Sequence, residues 1–214
     1  MEIDLLKKEK ELYKEGYELI CGCDEAGRGP LCGPVVAGAV ILPKNYQLEG
    51  LTDSKKLSEK KREKFFEIIK REAIAYGIGI VDAKTIDEIN IYEASRLAMK
   101  KAIANMNVKP DYVITDAMPL PNYHIKNESI IHGDALSITI AAASVLAKVT
   151  RDHIMYEMDK RYPELELAKH KGYPTKRHLE LLRIYGPKKD YRFTYRPVHD
   201  LIIEGGINEE VVQS

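Results

Sequence analysis

The alternation of apolar and polar residues changes period several times along this chain, and each change predicts an element. Residues 4–16 surround a short apolar stripe with charged side chains and stop at Gly16, which predicts a helix capping the domain at its N-terminus. Glu18–Cys23 reads as a strand, a glycine-rich turn follows, and Val35–Leu42 reads as a second strand ended by Pro43. Together they predict an antiparallel hairpin around a functional loop. Ser58 is placed to cap a helix that runs to Arg71, and Ala73–Val81 alternates around two glycines as a third strand. Residues 90–106 carry Ile91, Ala94, Leu97, Ala98 and Ile103 on one helical face ahead of Pro110. Tyr112–Thr115 and Ser129–Ile131 read as short buried strands. A long helix is expected from near Ser137 to Arg161, before Pro163, and shorter ones at 175–184 and 197–203. Strands and helices in this order predict one α/β domain, a mixed sheet flanked by helices.

Length and composition are consistent with that architecture and narrow the function. A chain of 214 residues with 44% hydrophobic and 31% charged residues has enough apolar surface for one sizeable core. No internal repeat or strong linker divides it. No apolar run approaches a membrane span, and the Lys- and Glu-rich start is unlike a secretory leader. Basic and acidic residues balance at 33 each, so a nucleic-acid partner would have to show as local charge segregation. Cys21, Cys23 and Cys32 are odd in number and lie around one strand and its loop. They predict small buried residues in a reducing compartment rather than a disulfide framework or a zinc site.

The acids carry more information. A metal-dependent nuclease needs several carboxylates converging on hard divalent cations; two such ions about 4 Å apart can activate a water and stabilise a leaving oxygen. Asp24 and Glu25 follow the first strand, Asp116 ends the strand Tyr112–Thr115, and Asp152 extends the apolar stripe Ile138, Ala141, Val145, Val149 of the long helix. Taken singly, an acid after a strand is also an ordinary turn residue, and Asp152 is spaced to pair with Lys148 or Arg151. Asp53 and Asp134 read as turn or cap residues. Because adjacent strand residues face opposite sides, Asp24 and Glu25 share a site only if the strand ends between or beside them.

The run Asp24-Glu25-Ala26-Gly27-Arg28-Gly29-Pro30 is followed by no Gly-Lys-Ser/Thr and is not a Walker loop. It resembles the signature of bacterial ribonuclease HII, the type 2 ribonuclease H family. So do Asp53-Ser-Lys-Lys-Leu, Asp116-Ala-Met-Pro-Leu, Gly133-Asp, Ala141 through Asp152, and Lys171-Gly-Tyr-Pro-Thr with His178, all in family order over residues 18–198. The chain departs from the pattern at His132 and Leu136, where the family often has Lys. It departs again at Tyr191-Arg192-Phe193-Thr194-Tyr195, where the family has His-Arg-x-Ser-Phe. Ribonuclease HIII resembles it less, since that family usually has Lys inside the Gly-x-Gly triplet and a larger N-terminal domain.

The resemblance implies an RNase H-like fold with a mixed five-stranded sheet. Residues 18–204 would form the catalytic domain with its C-terminal helices, residues 1–17 a helical extension and 205–214 a tail. It implies that Asp24, Glu25, Asp116 and Asp152 are catalytic metal ligands for Mg²⁺ or Mn²⁺, two ions in the substrate complex. It implies that Gly27, Arg28 and Gly29 sense the ribose 2′-hydroxyl and that Tyr173 packs on the neighbouring deoxyribose. The expected activity is metal-dependent cleavage of the RNA strand of RNA/DNA hybrids and nicking 5′ of ribonucleotides in duplex DNA, leaving 3′-hydroxyl and 5′-phosphate ends.

Two basic clusters suit a duplex backbone, one at Lys55–Lys64 and one from Lys169 to Arg196 with interleaved tyrosines. Ser54 and Lys55 are the phosphate candidates of the first; its remainder also reads as a solvated helix face. A cytoplasmic monomer with no membrane and no evident protein partner completes the expectation. The rival readings are a catalytically silent nucleic-acid-binding module and a different RNase H-fold nuclease, such as a junction resolvase.

Overall fold

In the computed structural model, residues 4–205 are described, so nearly all of the expected tail 205–214 lies outside them. Five strands form one sheet in the order β3-β2-β1-β4-β5: β1 is Ile20–Ala26, β2 Val35–Ile41, β3 Ala75–Val81, β4 Tyr112–Asp116 and β5 Asn127–Ile130. β1 is antiparallel to β2 and parallel to β4, and β4 is parallel to β5. This is the mixed five-stranded sheet expected from the motifs.

The helices are α1 (Lys7–Lys14), α2 (Glu59–Glu72), α3 (Ala83–Ala104), α4 (Ile138–Arg161), α5 (Leu167–His170), α6 (Lys176–Tyr185) and α7 (Arg196–Gly205). Ser58 caps α2 as expected, its hydroxyl accepting from the Lys61 amide. Two differences from the sequence expectation have local causes. α3 begins at Ala83 rather than residue 90, but Asn90 breaks it with φ of 65°, and the Asn90 side chain accepts from the amides of Tyr92 and Glu93. The expected start was therefore the cap of the second of two abutting helices. The short turns at Pro163–Leu165 and Leu167–His170 are too brief to show a period and were not foreseen.

The described chain divides into two compact units. The first holds residues up to Ala26, Val36–Ile80 and Ser95–Val149; the second holds Gly27–Val35, Val81–Ala94 and the chain from Thr150 on. The first is built around the sheet, and the part of α4 up to Val149 lies on it. Gly22 of β1 makes this packing close, because a Cβ there would overlap the backbone of Thr139 and Ile140. Nearly every side chain on this stretch of α4 is buried, which explains the run of Ala141, Ala142 and Ala143.

α1 is more than a cap on the outside of the first unit. Glu9, 1% exposed, accepts hydrogen bonds from the Ser137 hydroxyl at 2.6 Å and from the Thr139 hydroxyl and amide at 2.8 and 3.1 Å. The Ile138 amide donates to the Leu5 carbonyl. These contacts satisfy the first amides of α4 and set a carboxylate at its positive end. The second unit has its own apolar cluster, in which Leu31, Met155, Met158, Leu181, Tyr191 and Val198 meet.

Candidate active site

β1 does not end where the sequence suggested. Asp24 and Glu25 are still in the strand, paired in register with Gly38 and Ala37 of β2. Its pairing with β4, however, stops at Cys23 and Thr115. Asp24 and Asp116 are therefore neighbours just past the point where the parallel pairing of β1 with β4 ends, toward the carboxyl ends of both strands, the edge where open α/β sheets place their ligands.

The third acid beside them is Asp134, read from sequence as a turn or cap residue. One carboxylate oxygen from each of Asp24, Asp116 and Asp134 lies within 4.8 Å of the others. Asp134 is in the 3₁₀ turn Gly133–Ala135, and the Gly133 amide donates to the Asp116 carboxylate at 2.8 Å, which fixes turn and strand end together. A sequence signal for Asp134 did exist in the Gly133-Asp134 pair, but its burial depended on the turn closing onto β4.

Both Asp24 and Asp134 are buried. Burial first, then the charges of Glu25 and Asp116, push the Asp24 carboxyl well above its usual range, against the opposing pull of the Glu25 amide donated to it at 2.7 Å. Glu25 thus acts on Asp24 even though the strand continues through both. Burial and the charges of Asp116 and Asp53 raise Asp134, partly offset by Lys55. The Lys55 ammonium stands 3.7 Å from the Asp134 carboxylate. Its own pKa is raised: burial opposes this but is outweighed by Asp24, Asp134, Asp53 and Asp116. Ser54 beside it is buried, while the Lys55 side chain is 76% exposed. Carboxylates brought together at low dielectric repel until a cation joins them, so this donor set of hard oxygens fits a divalent metal.

The remaining expected residues belong to the second unit. Asp152 is 3% exposed, as the extension of the α4 stripe predicts. Gly27 has φ of +101°, and a Cβ there would overlap the Arg151 side chain and approach the Pro34 carbonyl to 2.8 Å. A Cβ on Gly29 would touch the Tyr173 ring at 3.6 Å, so the triplet and Tyr173 share one surface. The Arg151 guanidinium lies 5.9 Å from the Tyr173 ring centre.

Sequence reasoning missed what builds this loop. Arg151 and Arg192 are both fully buried and bind backbone carbonyls. Arg151 holds Pro34, Cys32 and Lys171, and burial, then the nearby Arg192 charge, lowers its pKa to about 10. Arg192 was grouped with the phosphate-binding residues; it lies inside the protein instead. Other members of that basic stretch are engaged with acids: Lys169 and Arg177 with Glu166, and Lys188 with Glu164. In the first basic cluster, Arg62 donates to the carbonyls of Ser54 and Leu57 and so shapes the turn that carries Lys55.

His178 is also buried, early in α6. Its Nδ1 meets the Tyr173 carbonyl at 2.9 Å and must carry the proton; its Nε2 then accepts from the Tyr191 hydroxyl at 2.7 Å. Burial, then the stacked His170 ring 4.0 Å away, lowers its pKa to about 4. The departure at Tyr191 therefore falls on a residue whose hydroxyl holds the histidine behind Tyr173.

Residues 21–200 match the family model for ribonuclease HII. The chain belongs to the ribonuclease HII family. It is 57% identical over 187 residues to the ribonuclease HII of Caldanaerobacter subterraneus subsp. tengcongensis, covering 87% of this chain and 78% of that one. It is 52% identical over 202 residues to the ribonuclease HII of Acholeplasma laidlawii, covering 94% and 99%. The crystal structure of ribonuclease H2 from Pyrococcus horikoshii superposes with a TM-score of 0.75 at 27% identity, covering 88% of this chain and 99% of that one. The fold is therefore RNase H-like, and the activity is that of a divalent-metal-dependent ribonuclease H.

Proposed function

We propose that the enzyme nicks the RNA strand of RNA/DNA hybrids and cuts duplex DNA 5′ of an embedded ribonucleotide, leaving a 3′-hydroxyl and a 5′-phosphate. The observation that carries this reading is the meeting of Asp24 and Asp116 with Asp134 at the ends of two parallel strands. Asp24, Glu25, Asp116 and Asp152 are assigned as the catalytic metal ligands, for two ions of Mg²⁺ or Mn²⁺ with substrate bound. Such ions, when bound, supply a water of lowered pKa and neutralise charge on the departing oxygen.

The chain's own groups do the rest. The backbone of Gly27 and Gly29 meets the 2′-hydroxyl, the one group that tells RNA from DNA at a given position. Arg28 holds the adjacent phosphate, and Lys55, with Ser54 beside it, holds a flanking one. Tyr173 packs on the neighbouring deoxyribose; the approach of Gly29 to its ring supports a common reading surface. We assign residues 18–204 to the catalytic domain and 1–17 to an N-terminal extension. The three free, buried cysteines support a cytoplasmic location, and the enzyme is read as a monomer.

The test is cleavage of a DNA duplex carrying one ribonucleotide, with and without Mg²⁺ or Mn²⁺, beside an all-DNA control. A metal-dependent nick 5′ of the ribonucleotide, absent from the control, is the expected result. Binding without cutting, or cutting of the control, would overturn it.

A further inference from the structure

Arg192 donates every N–H of its guanidinium inside the protein. Nη2 donates to the Gly27 carbonyl at 2.6 Å and to the Gly33 carbonyl at 2.9 Å; Nε donates to Gly33 at 3.1 Å. Nη1 donates to the Arg28 carbonyl at 2.9 Å and to the Tyr195 hydroxyl at 3.0 Å. The Tyr195 hydroxyl donates in turn to the same Arg28 carbonyl at 2.7 Å. The strand of chain that carries Arg192 is itself pinned: its amide donates to Leu31, the Gly33 amide donates to Asp190, and Asp87 accepts from the amides of Phe193 and Thr194.

A trans peptide is planar, with its C=O and N–H pointing opposite ways. Holding the carbonyls of Gly27 and Arg28 on one buried cation therefore turns the N–H groups of Arg28 and Gly29 away from it, side by side. Charge-assisted bonds at the carbonyls also polarise those peptides and strengthen the opposed N–H groups as donors. We propose that Arg192 is a positioning residue for sugar discrimination: it orients the Gly27–Gly29 backbone that accepts a ribose and rejects a deoxyribose. The Tyr195 hydroxyl is its auxiliary, acting on the Arg28 carbonyl alone. The inference rests on the reading of that triplet as the ribose sensor.

The experiment compares Kd for a duplex with one ribonucleotide and for the all-DNA duplex of the same sequence, with Ca²⁺ in place of Mg²⁺, in the wild type, Arg192→Lys and Tyr195→Phe. Lys has one ammonium and no planar fork, so it keeps the charge but not the three-carbonyl geometry. The ratio of the all-DNA Kd to the ribonucleotide-duplex Kd is expected to fall about tenfold or more in Arg192→Lys and about threefold in Tyr195→Phe, with all-DNA affinity little changed. A purely structural role would weaken both duplexes together. An unchanged ratio in folded Arg192→Lys overturns the proposal. If that variant does not fold, an unchanged ratio in Tyr195→Phe overturns it. A wild type that itself binds the two duplexes equally overturns the ribose-sensor reading instead.

Discussion

Asp24 and Asp116 occupy the first positions beyond Cys23 and Thr115, the last residues to pair between two parallel strands. Strand pairing brings the two charges to one edge, where the Lys55 ammonium, 3.7 Å from the Asp134 carboxylate, offsets them only in part. The Asp116 carboxylate also receives the Gly133 amide, so Asp116→Asn keeps an acceptor for that amide while losing charge. We expect metal-dependent cleavage to fall by about a thousandfold or more with circular dichroism unchanged. Asp152→Asn should behave alike, and full activity in either variant would remove that residue from the catalytic acids.

Metal-free stability should respond in the opposite sense. The Asp24 carboxyl is held well above its ordinary value by burial, then by the charges of Glu25 and Asp116. The folded protein therefore binds this proton more tightly than the unfolded chain, and stability falls as pH rises above the usual carboxylate range. Asp24→Asn removes that loss. In EDTA at neutral pH it should gain about 1–2 kcal/mol, a few degrees in melting temperature, and it should lose the wild-type stabilisation by Mg²⁺. A variant melting below the wild type in EDTA would contradict this.

His178 supplies a second pH dependence of opposite sign. Burial and the stacked His170 lower it to about 4 from its usual value near 6.5. A histidine held neutral stabilises the fold fully above the ordinary value and loses that contribution as pH falls toward about 4. The loss reaches about 3 kcal/mol at most. Denaturant titrations at pH 7.5 and 4.5 should show it. His178→Phe, which has no ring nitrogen to protonate, should be less stable at neutral pH and show less of this acid sensitivity.

Glu9 ties α1 to the start of α4. Glu9→Ala leaves the Ser137 and Thr139 hydroxyls and a helix amide without their acceptor. It should cost about 2–3 kcal/mol of stability, read by urea unfolding. Glu9→Gln keeps an acceptor and should cost less; equal losses would show that the buried charge at the helix end matters more than the hydrogen bonds.

Lys55 is the exposed cation beside the acids. Lys55→Ala should weaken binding of any duplex and reduce the slope of log Kd against log salt by about 1 if it contacts one phosphate. Equal slopes would place it outside the phosphate track.

Much of this was legible in the sequence, for reasons that differ by residue. Period and punctuation marked the first four strands and the long helix, because burial on one or both faces leaves a local trace; the buried strand expected at Ser129–Ile131 is instead Asn127–Ile130, half-buried at best, with Ile131 outside it and exposed. The burial of Asp152 followed from helical spacing alone. Asp134, Arg151 and Arg192 were not legible in the same way. A turn acid becomes a member of a cluster only when the turn closes on β4. A buried arginine that binds carbonyls looks, in sequence, like a surface cation, since its partners are backbone atoms that carry no residue identity. The extension of β1 through Ala26 was missed because the apolar pattern stops at Cys23, while pairing with β2 continues through the acids to the glycine turn.

The bonds from Arg192 to the Gly27 loop close a chain separation of 165 residues. On the ribosome, β1 and its acids are made long before the residue that shapes the loop following them in the chain. Until position 192 has emerged, the nascent chain holds Asp24 and Asp116 without the buried cation that orients Gly27 to Gly29. On the proposed reading of the triplet, selectivity for the sugar is among the last properties the polypeptide acquires, and a product stopped short of Arg192 keeps its acids but not the bonds that shape Gly27 to Gly29.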